Sequence, residues 1–236
     1  MSTDYPTVKA DDVAWITTDQ MIEVDRVMIE DLGIQLFQMM ENAGRNLALL
    51  AMNRYSPTAP VVAVGPGGNG GGGMVAARHL AVAGVDVRVV LGAGRDQMAP
   101  VPAAQLAILD EMGVPVLDEV PSDADLFIDA VLGYSLKGAP RGLAGEVISA
   151  ISATSTPTLS LDTPSGLDTA TGETADPHID ADATMTLALP KVGLASHPAV
   201  GNLFLANISV PNSVYENMGA LPVPDFGGGY ILEVLR

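Results

Sequence analysis

The chain has 236 residues, of which 28 are acidic and 11 are Lys or Arg, and the formal net charge is −17. The absence of cysteine excludes disulfides, thiolate nucleophiles and cysteine-based zinc sites. So acidic a surface disfavours binding to nucleic acid and to anionic membranes, because both need a basic face. No apolar run reaches the roughly 20 residues of a membrane helix, and the N-terminus has no apolar leader. We therefore expect a soluble, cytoplasmic protein.

The first part of the chain predicts two helices after an arm. Residues 1–16 are polar and acidic and are predicted to form a loose arm. The segment "TTDQMIEVDRVMIEDLG" carries apolar residues at positions 21, 24, 28 and 32, which is helical spacing, and Thr18 is its predicted N-cap. The segment "IQLFQMMENAGRNLALLAMNRY" predicts a second, longer helix, with the methionines around Met39 in the core or an interface.

Beyond residue 60, short apolar runs alternate with helical segments. The runs "VVAVG", "VDVRVVLG", "VPVLDEV", "DLFIDAVLG", "TPTLSLDTPSG", "DATMTLALP" and "NLFLANISVP" predict strands, and "GGMVAARHLAVAG", "PVPAAQLAILDEMG" and "LAGEVISAISA" predict helices. The tail "PDFGGGYILEVLR" is predicted to lie on the surface. The alternation predicts one domain over 1–236 with an α/β fold, a three-layer Rossmann-like sandwich. Its central sheet is expected to be mostly parallel, with helices on both faces.

A glycine-rich segment, "VGPGGNGGGG", follows the first predicted strand. Gly65, Gly67 and Gly70 form G-x-G-x-x-G between a strand and a helix, which is the context of a dinucleotide-binding loop. Without Cβ atoms, backbone N–H groups can approach a phosphate, and a helix N-terminus adds positive potential. An NAD-binding unit ends its next strand in an acid that holds the ribose. Here that strand ends at Leu91 and Gly92, which disfavours a hydride-transferring dehydrogenase. The alternative is that the glycines only allow close strand–helix packing.

Four ordered stretches carry a resemblance to a known family. They are "MIEVDRVMIEDLGIQLFQMMENAGRNLA", "VGPGGNGGGGMVAARHL", "LFIDAVLGYSLKGAPRGLAGEVISAI", and "LSLDTPSGLDTATGE" followed by "ALPKVGL". Together they resemble the motifs of the NAD(P)H-hydrate epimerase family, also called the YjeF N-terminal domain, from about Met21 to Val210. Members interconvert the R and S forms of hydrated NADH or NADPH, which carry a hydroxyl at C6 of the nicotinamide ring. The resemblance implies a partner, an ATP- or ADP-dependent dehydratase for the S form, as a separate protein, because we expect no fused dehydratase domain here.

The resemblance also implies site residues. The dinucleotide is expected to contact two segments, one formed by Gly68, Asn69, Gly70, Gly71 and Gly72 and one by Gly133, Tyr134, Ser135, Leu136, Lys137, Gly138 and Ala139. One potassium ion per subunit is expected on Asn69, Asp129 and Ser165. Asp162 is expected to contact the hydrated ring as the acid–base residue, with Lys191 near the ring or a phosphate as a second catalytic residue.

The residues alone leave other interpretations open. Asp129 and Asp162 end predicted strands and could cap the following turns, while Asn69 and Ser165 could be ordinary turn residues. Lys191 could be a surface lysine.

Two positions depart from the family's glycine-loop motif, because Gly68 and Gly72 replace an asparagine and an aspartate. Side-chain hydrogen bonds orient a reacting ring, whereas glycine still permits phosphate contact. Two hypotheses follow: an epimerase that tolerates the glycines, or a catalytically weakened nucleotide-binding or scaffold module of the same fold. We expect a homodimer in either case.

Overall fold

The computed structural model describes residues 5–236. Its strands are β1 (Thr7–Lys9), β2 (Val61–Val64), β3 (Arg88–Leu91), β4 (Val116–Leu117), β5 (Phe127–Ala130), β6 (Thr158–Leu161), β7 (Ala183–Leu187), β8 (Asn202–Ala206) and β9 (Ile231–Leu235). Its α-helices are α1 (Thr18–Arg26), α2 (Leu36–Tyr55), α3 (Gly68–Val82), α4 (Pro100–Glu111), α5 (Gly142–Ser152) and α6 (Asn212–Asn217). A π-helical turn, Val27–Asp31, directly continues α1.

The nine strands form one sheet in the order β1-β9-β8-β7-β6-β5-β2-β3-β4. Every neighbouring pair is parallel except β8 with β9. Fully buried strands such as β2 are continuous apolar runs because helices cover both faces of a parallel sheet. Within residues 5–236, no helix has the length and apolar composition that crossing a membrane requires.

Alternating side chains of β2 show how the helices divide between the two faces. Val62 and Val64 pack in a core with residues of α2, α3 and α4. Val61 and Ala63 point the opposite way and pack against α5. Helix α1 packs in a third cluster, over the part of the sheet formed by β8 and β9. The predicted three-layer α/β sandwich with a mostly parallel sheet is therefore confirmed.

Both ends of the described chain join the sheet, which the sequence analysis did not predict. The expected loose arm over 1–16 is wrong for its described part, because β1 pairs with β9 and Ile16 is fully buried. The first four residues of that arm lie outside the described residues. The C-terminal tail is not simply surface, since β9 lies between β1 and β8. The N-cap of α1 is Thr17 rather than Thr18, and its side chain accepts from the N–H of Gln20.

The glycines from Gly68 to Gly73 form the first turns of α3 rather than a loop. A Cβ on Gly70 would overlap the backbone oxygen of Gly65, and a Cβ on Gly73 would lie 2.5 Å from that of Ala130. A Cβ on Gly71 would lie 2.5 Å from Sδ of Met40. Most of these glycines therefore let α3 pack directly on its neighbours. The segment predicted as a phosphate-binding loop forms the start of a helix instead.

Candidate functional site

The site lies where the strand order reverses. From β2 the chain continues outward through β3 and β4, whereas β5 returns to the other side of β2 and leads to β6. In open α/β sheets this switch point leaves a crevice at the carboxyl ends of the strands. The start of α3 follows β2, the loop 131–135 follows β5, and Asp162 follows β6. Three predicted segments thus meet in one crevice.

A cavity of about 490 Å³ fills this crevice, a size typical of small-molecule sites. Its polar edge includes Asp25, Asn69, Ser135 and Asp162, together with the backbone of Gly67 and Gly68. Its apolar wall includes Met21, Ile29, Leu36, Met39, Met40, Ala43, Leu161, Leu187 and Ile208. The N-terminal helices therefore form one side of the site, and the methionines that we expected in the core or an interface line it.

Asp162 and Lys191 form a buried ion pair at the cavity. Lys191 Nζ lies 2.5 Å from Asp162 Oδ1 and also donates to the carbonyl oxygen of Leu187 at 2.8 Å. Lys191 is fully buried, which excludes the surface-lysine interpretation. Asp162 lines the cavity with only 3% of its surface exposed, and its φ of 68° is unusual for a residue other than glycine. Backbone strain of this kind concentrates at functional sites.

Tyr134 connects Asp162 to a second carboxylate of the cavity. Its backbone N–H donates to Asp162 Oδ2 at 3.1 Å, and its hydroxyl donates to Asp25 Oδ2 at 2.6 Å. Burial and the neighbouring Asp25 raise the pKa of the Tyr134 hydroxyl, which therefore stays protonated. Burial also raises the pKa of Asp25. The hydrogen bond from Tyr134 and the charge of Lys191 lower that pKa and the charge of Asp162 raises it, but burial has the largest effect.

Asp129 lies behind the cavity in a shell of donors. Its carboxylate accepts from the backbone N–H and hydroxyl of Ser165 at 2.8 and 2.6 Å and from the hydroxyl of Ser160 at 2.8 Å. Burial raises the pKa of Asp129. The Nδ2 atom of Asn69 is buried and has no partner within residues 5–236. A half-turn of that amide would exchange nitrogen for oxygen, so the three predicted ligands offer the oxygen donors that a hard cation accepts.

The predicted site residues are distributed unequally around the cavity. Those that line it are Gly68, Asn69, Gly72, Gly133, Tyr134, Ser135 and Asp162. Asp129, Ser165 and Lys191 lie directly behind that surface. The structure does not bring the remaining ones to the cavity lining, namely Gly70, Gly71, Leu136, Lys137, Gly138 and Ala139.

Asp25 is the cavity residue that the sequence analysis missed. It lies four residues after Met21 and next to Val24, so it stands at the border of the apolar stripe of α1. A carboxylate beside the buried face of an amphipathic helix is a signal that could have identified it.

The fold and the crevice define a doubly wound α/β protein whose ligand site lies at the switch point of its sheet. The chain belongs to the family described as YjeF-related protein N-terminus, whose model matches residues 36–193. This confirms the family that the four sequence motifs predicted.

Curated relatives support this assignment over most of the chain. It is 40% identical to an NAD(P)H-hydrate epimerase of Dehalogenimonas lykanthroporepellens, over 93% of this chain and 91% of that protein. It is also 40% identical to the bifunctional NAD(P)H-hydrate repair enzyme Nnr of Hyperthermus butylicus, over 77% of this chain but only 36% of that longer protein. The crystal structure of yeast ynu0 has the same fold, with a TM-score of 0.79 and 24% identity, over 93% of this chain and 99% of that one.

Proposed function

We propose that this protein is an NAD(P)H-hydrate epimerase, which interconverts the R and S forms of hydrated NADH or NADPH. The observation that carries the proposal is the Lys191–Asp162 ion pair at a cavity beside the start of α3. The names of the relatives that match most of their own length agree with it. Gly68 and Gly72 do not contradict it, because both line the cavity and leave it open to the substrate.

Asp162 is the group that moves the proton. The hydrated ring carries a hydroxyl on C6 next to the ring nitrogen, so its configuration inverts either by loss and return of water or by ring opening. Both routes require a proton to move at the C6 oxygen. Lys191 donates to one oxygen of the Asp162 carboxylate, and the backbone N–H of Tyr134 donates to the other. A base fixed in this way at a cavity wall is suited to general acid–base catalysis.

The start of α3 is proposed to hold the phosphates of the dinucleotide. The first backbone N–H groups of a helix have no intrahelical acceptor, and the helix dipole places positive potential there. Gly68 and Asn69, at this end of α3, line the cavity. Asn69, Asp129 and Ser165 would hold a potassium ion, which would supply further positive charge to the site. The single carboxylate among these three residues supports a monovalent ion.

An epimerisation assay tests the proposal. Purified R-form NADPH hydrate is incubated with the protein, and the S form is measured by chromatography, with potassium present or replaced by a bulky organic cation. We expect conversion far above the spontaneous rate, a potassium requirement, and loss of conversion in Asp162→Asn. A folded protein that produces no S form would favour the nucleotide-binding module instead.

Three further proposals concern partners and location. The bifunctional name of the longer relative supports, as the partner activity, an ATP- or ADP-dependent dehydratase that consumes the S form made here. The exposed apolar residues Ile29, Leu32 and Phe37 support a homodimer through the N-terminal helices. We place the protein in the cytoplasm, where hydrated NADH and NADPH would be repaired. Light scattering of the purified chain at several concentrations tests the homodimer.

A further inference from the structure

The cavity contains a carboxylate to which the proposed function gives no role. Met21, Asp25 and Ile29 are spaced four residues apart and line the cavity along one side of α1 and its continuation. That continuation is the π-helical turn Val27–Asp31, and such turns occur frequently at functional sites. Helix α1 therefore presents a half-buried acid to the same space as Asp162.

The two carboxylates enter the cavity from different walls. Asp162 stands at the carboxyl edge of the sheet, whereas Asp25 belongs to the helix that closes the cavity on another side. Tyr134 spans the space between them, with its backbone N–H on Asp162 and its hydroxyl on Asp25. Both carboxylates are therefore hydrogen-bonded to the same residue, one to its backbone and one to its hydroxyl, and both line the same cavity.

Inversion at C6 through a planar intermediate needs proton transfer on both faces of the ring. When the lone pair of the ring nitrogen expels the hydroxyl, the C6–O bond breaks and an acid protonates the leaving oxygen, so that water departs. The resulting C6=N cation is planar. Water then adds to the opposite face, a base takes its proton as the new C6–O bond forms, and the nitrogen regains its lone pair. One proton is given and one is taken, so no further reactant is required.

We propose that Asp25 is the second proton-transfer group of this site and serves the ring face opposite to the one served by Asp162. This inference rests on the proposed epimerase function. Both oxygens of Asp162 accept hydrogen bonds, from Lys191 Nζ and from the backbone N–H of Tyr134. Only Oδ2 of Asp25 accepts a hydrogen bond from residues 5–236, so Oδ1 is free to carry the transferred proton.

The charged and titratable surroundings of Asp25 separate its chemistry from that of Asp162. Burial and the charge of Asp162 raise the pKa of Asp25, while Tyr134 and Lys191 oppose that rise. Tyr215 also faces Asp25, and burial keeps its hydroxyl protonated by raising its pKa. Two acids whose environments differ in this way can act as donor and acceptor in one reaction.

Two variants separate proton transfer from positioning. Asp25→Asn keeps the shape and an oxygen acceptor for the Tyr134 hydroxyl but removes the transferable proton. Tyr134→Phe removes the hydrogen bond but leaves the carboxyl group. Asp19→Asn, an exposed change on the same helix, is the matched control. Each protein is assayed for kcat, KM and the pH profile in water enriched in ¹⁸O, with its melting temperature as a check on folding.

We expect kcat of Asp25→Asn to fall about 100-fold or more, with little change in KM and with loss of the alkaline limb of the pH profile. Tyr134→Phe should lose less than about tenfold, as for one hydrogen bond, and Asp19→Asn should match the wild type. Each inversion should place one solvent oxygen on C6.

Three outcomes would overturn the inference. Wild-type kcat in Asp25→Asn would remove any role in proton transfer, and a larger loss in Tyr134→Phe than in Asp25→Asn would make Asp25 a positioning residue. Inversion without ¹⁸O uptake would exclude the water route. If the wild type itself converts nothing, the proposed function fails together with the inference.

Discussion

Replacing Lys191 by methionine would test the buried ion pair. The variant keeps most of the aliphatic stem but removes the charge that lies 2.5 Å from Asp162 Oδ1. It also leaves the oxygen of Leu187 and the hydroxyl of Thr186 without their donor. Because Lys191 is fully buried, no water can replace the ammonium group without opening the site. The change therefore leaves one carboxylate oxygen and two neutral oxygens without the hydrogen-bond donor that Lys191 provides.

The expected cost follows from the burial of both partners. Removing one member of a buried ion pair costs about 3–5 kcal/mol, because the other charge stays buried and unpaired. For a chain of this size, each kcal/mol lowers the melting temperature by about 2–4 °C, so the loss should be about 6–20 °C. Adding Asp162→Asn to Lys191→Met removes the unpaired carboxylate charge. The double variant should therefore regain part of the lost melting temperature, although it stays inactive.

The assay is thermal and urea unfolding of the wild type, both single variants and the double variant at neutral pH. Combining the four free energies of unfolding as a double-mutant cycle isolates the coupling between the two side chains. Independent, additive effects, or a Lys191→Met variant as stable as the wild type, would refute this account, since they would mean that Asp162 is solvated through the cavity.

Three further predictions concern the glycines, Asp25 and the ion site. Gly67→Ala should leave the free energy of unfolding unchanged, because a Cβ there meets no atom. Gly71→Ala should lower it by about 1 kcal/mol, because only the end of a methionine must move, and Gly70→Ala by about 3 kcal/mol or more, because its Cβ meets a backbone oxygen. Equal free energies of unfolding for the three variants would contradict this order. Burial raises the pKa of Asp25, so above about pH 4 the native state binds more protons at this group than the unfolded state does. The contribution of Asp25 to stability is therefore present at lower pH and is lost as pH rises through its native pKa. Urea titrations across that range should show this decline reduced in Asp25→Asn. Potassium chloride should raise the melting temperature more than the same concentration of a bulky-cation chloride, and Ser165→Ala should abolish the difference.

The parts of the fold that the sequence could predict depend on local patterns. Continuous apolar runs between turn residues identified the buried strands, and their alternation with helices predicted the parallel sheet. Strands β1 and β9 were not predicted, because β1 has only three residues and its pairing depends on a partner at the other end of the chain. The glycine helix was missed because glycine is a poor helix former, and close packing against β2 and α2 overrides that preference.

The candidate site was predictable to a similar extent. Motifs at the ends of strands predicted that Asp162 and the start of α3 lie at one crevice, because strand ends meet at one edge of a parallel sheet, and both line the cavity with Asp129 behind it. The burial of Lys191 and its pairing with Asp162 depend on the path of residues 187–191, which no local pattern specifies. Asp25 reaches the cavity only through the packing of α1, which is again a tertiary property.

The pairing of β1 with β9 has a consequence for the order of events during synthesis. Strand β1 is made first, yet its neighbour in the sheet is β9, near residue 236. Closing a loop of that length costs on the order of 5 kcal/mol of chain entropy, so the pair forms only after the rest of the sheet is in place. The segment that follows β1 contains Ile16, whose backbone pairs with Lys191. A nascent chain that still lacks β9 would therefore leave β8 as an unpaired edge of the sheet, with β1 not yet attached.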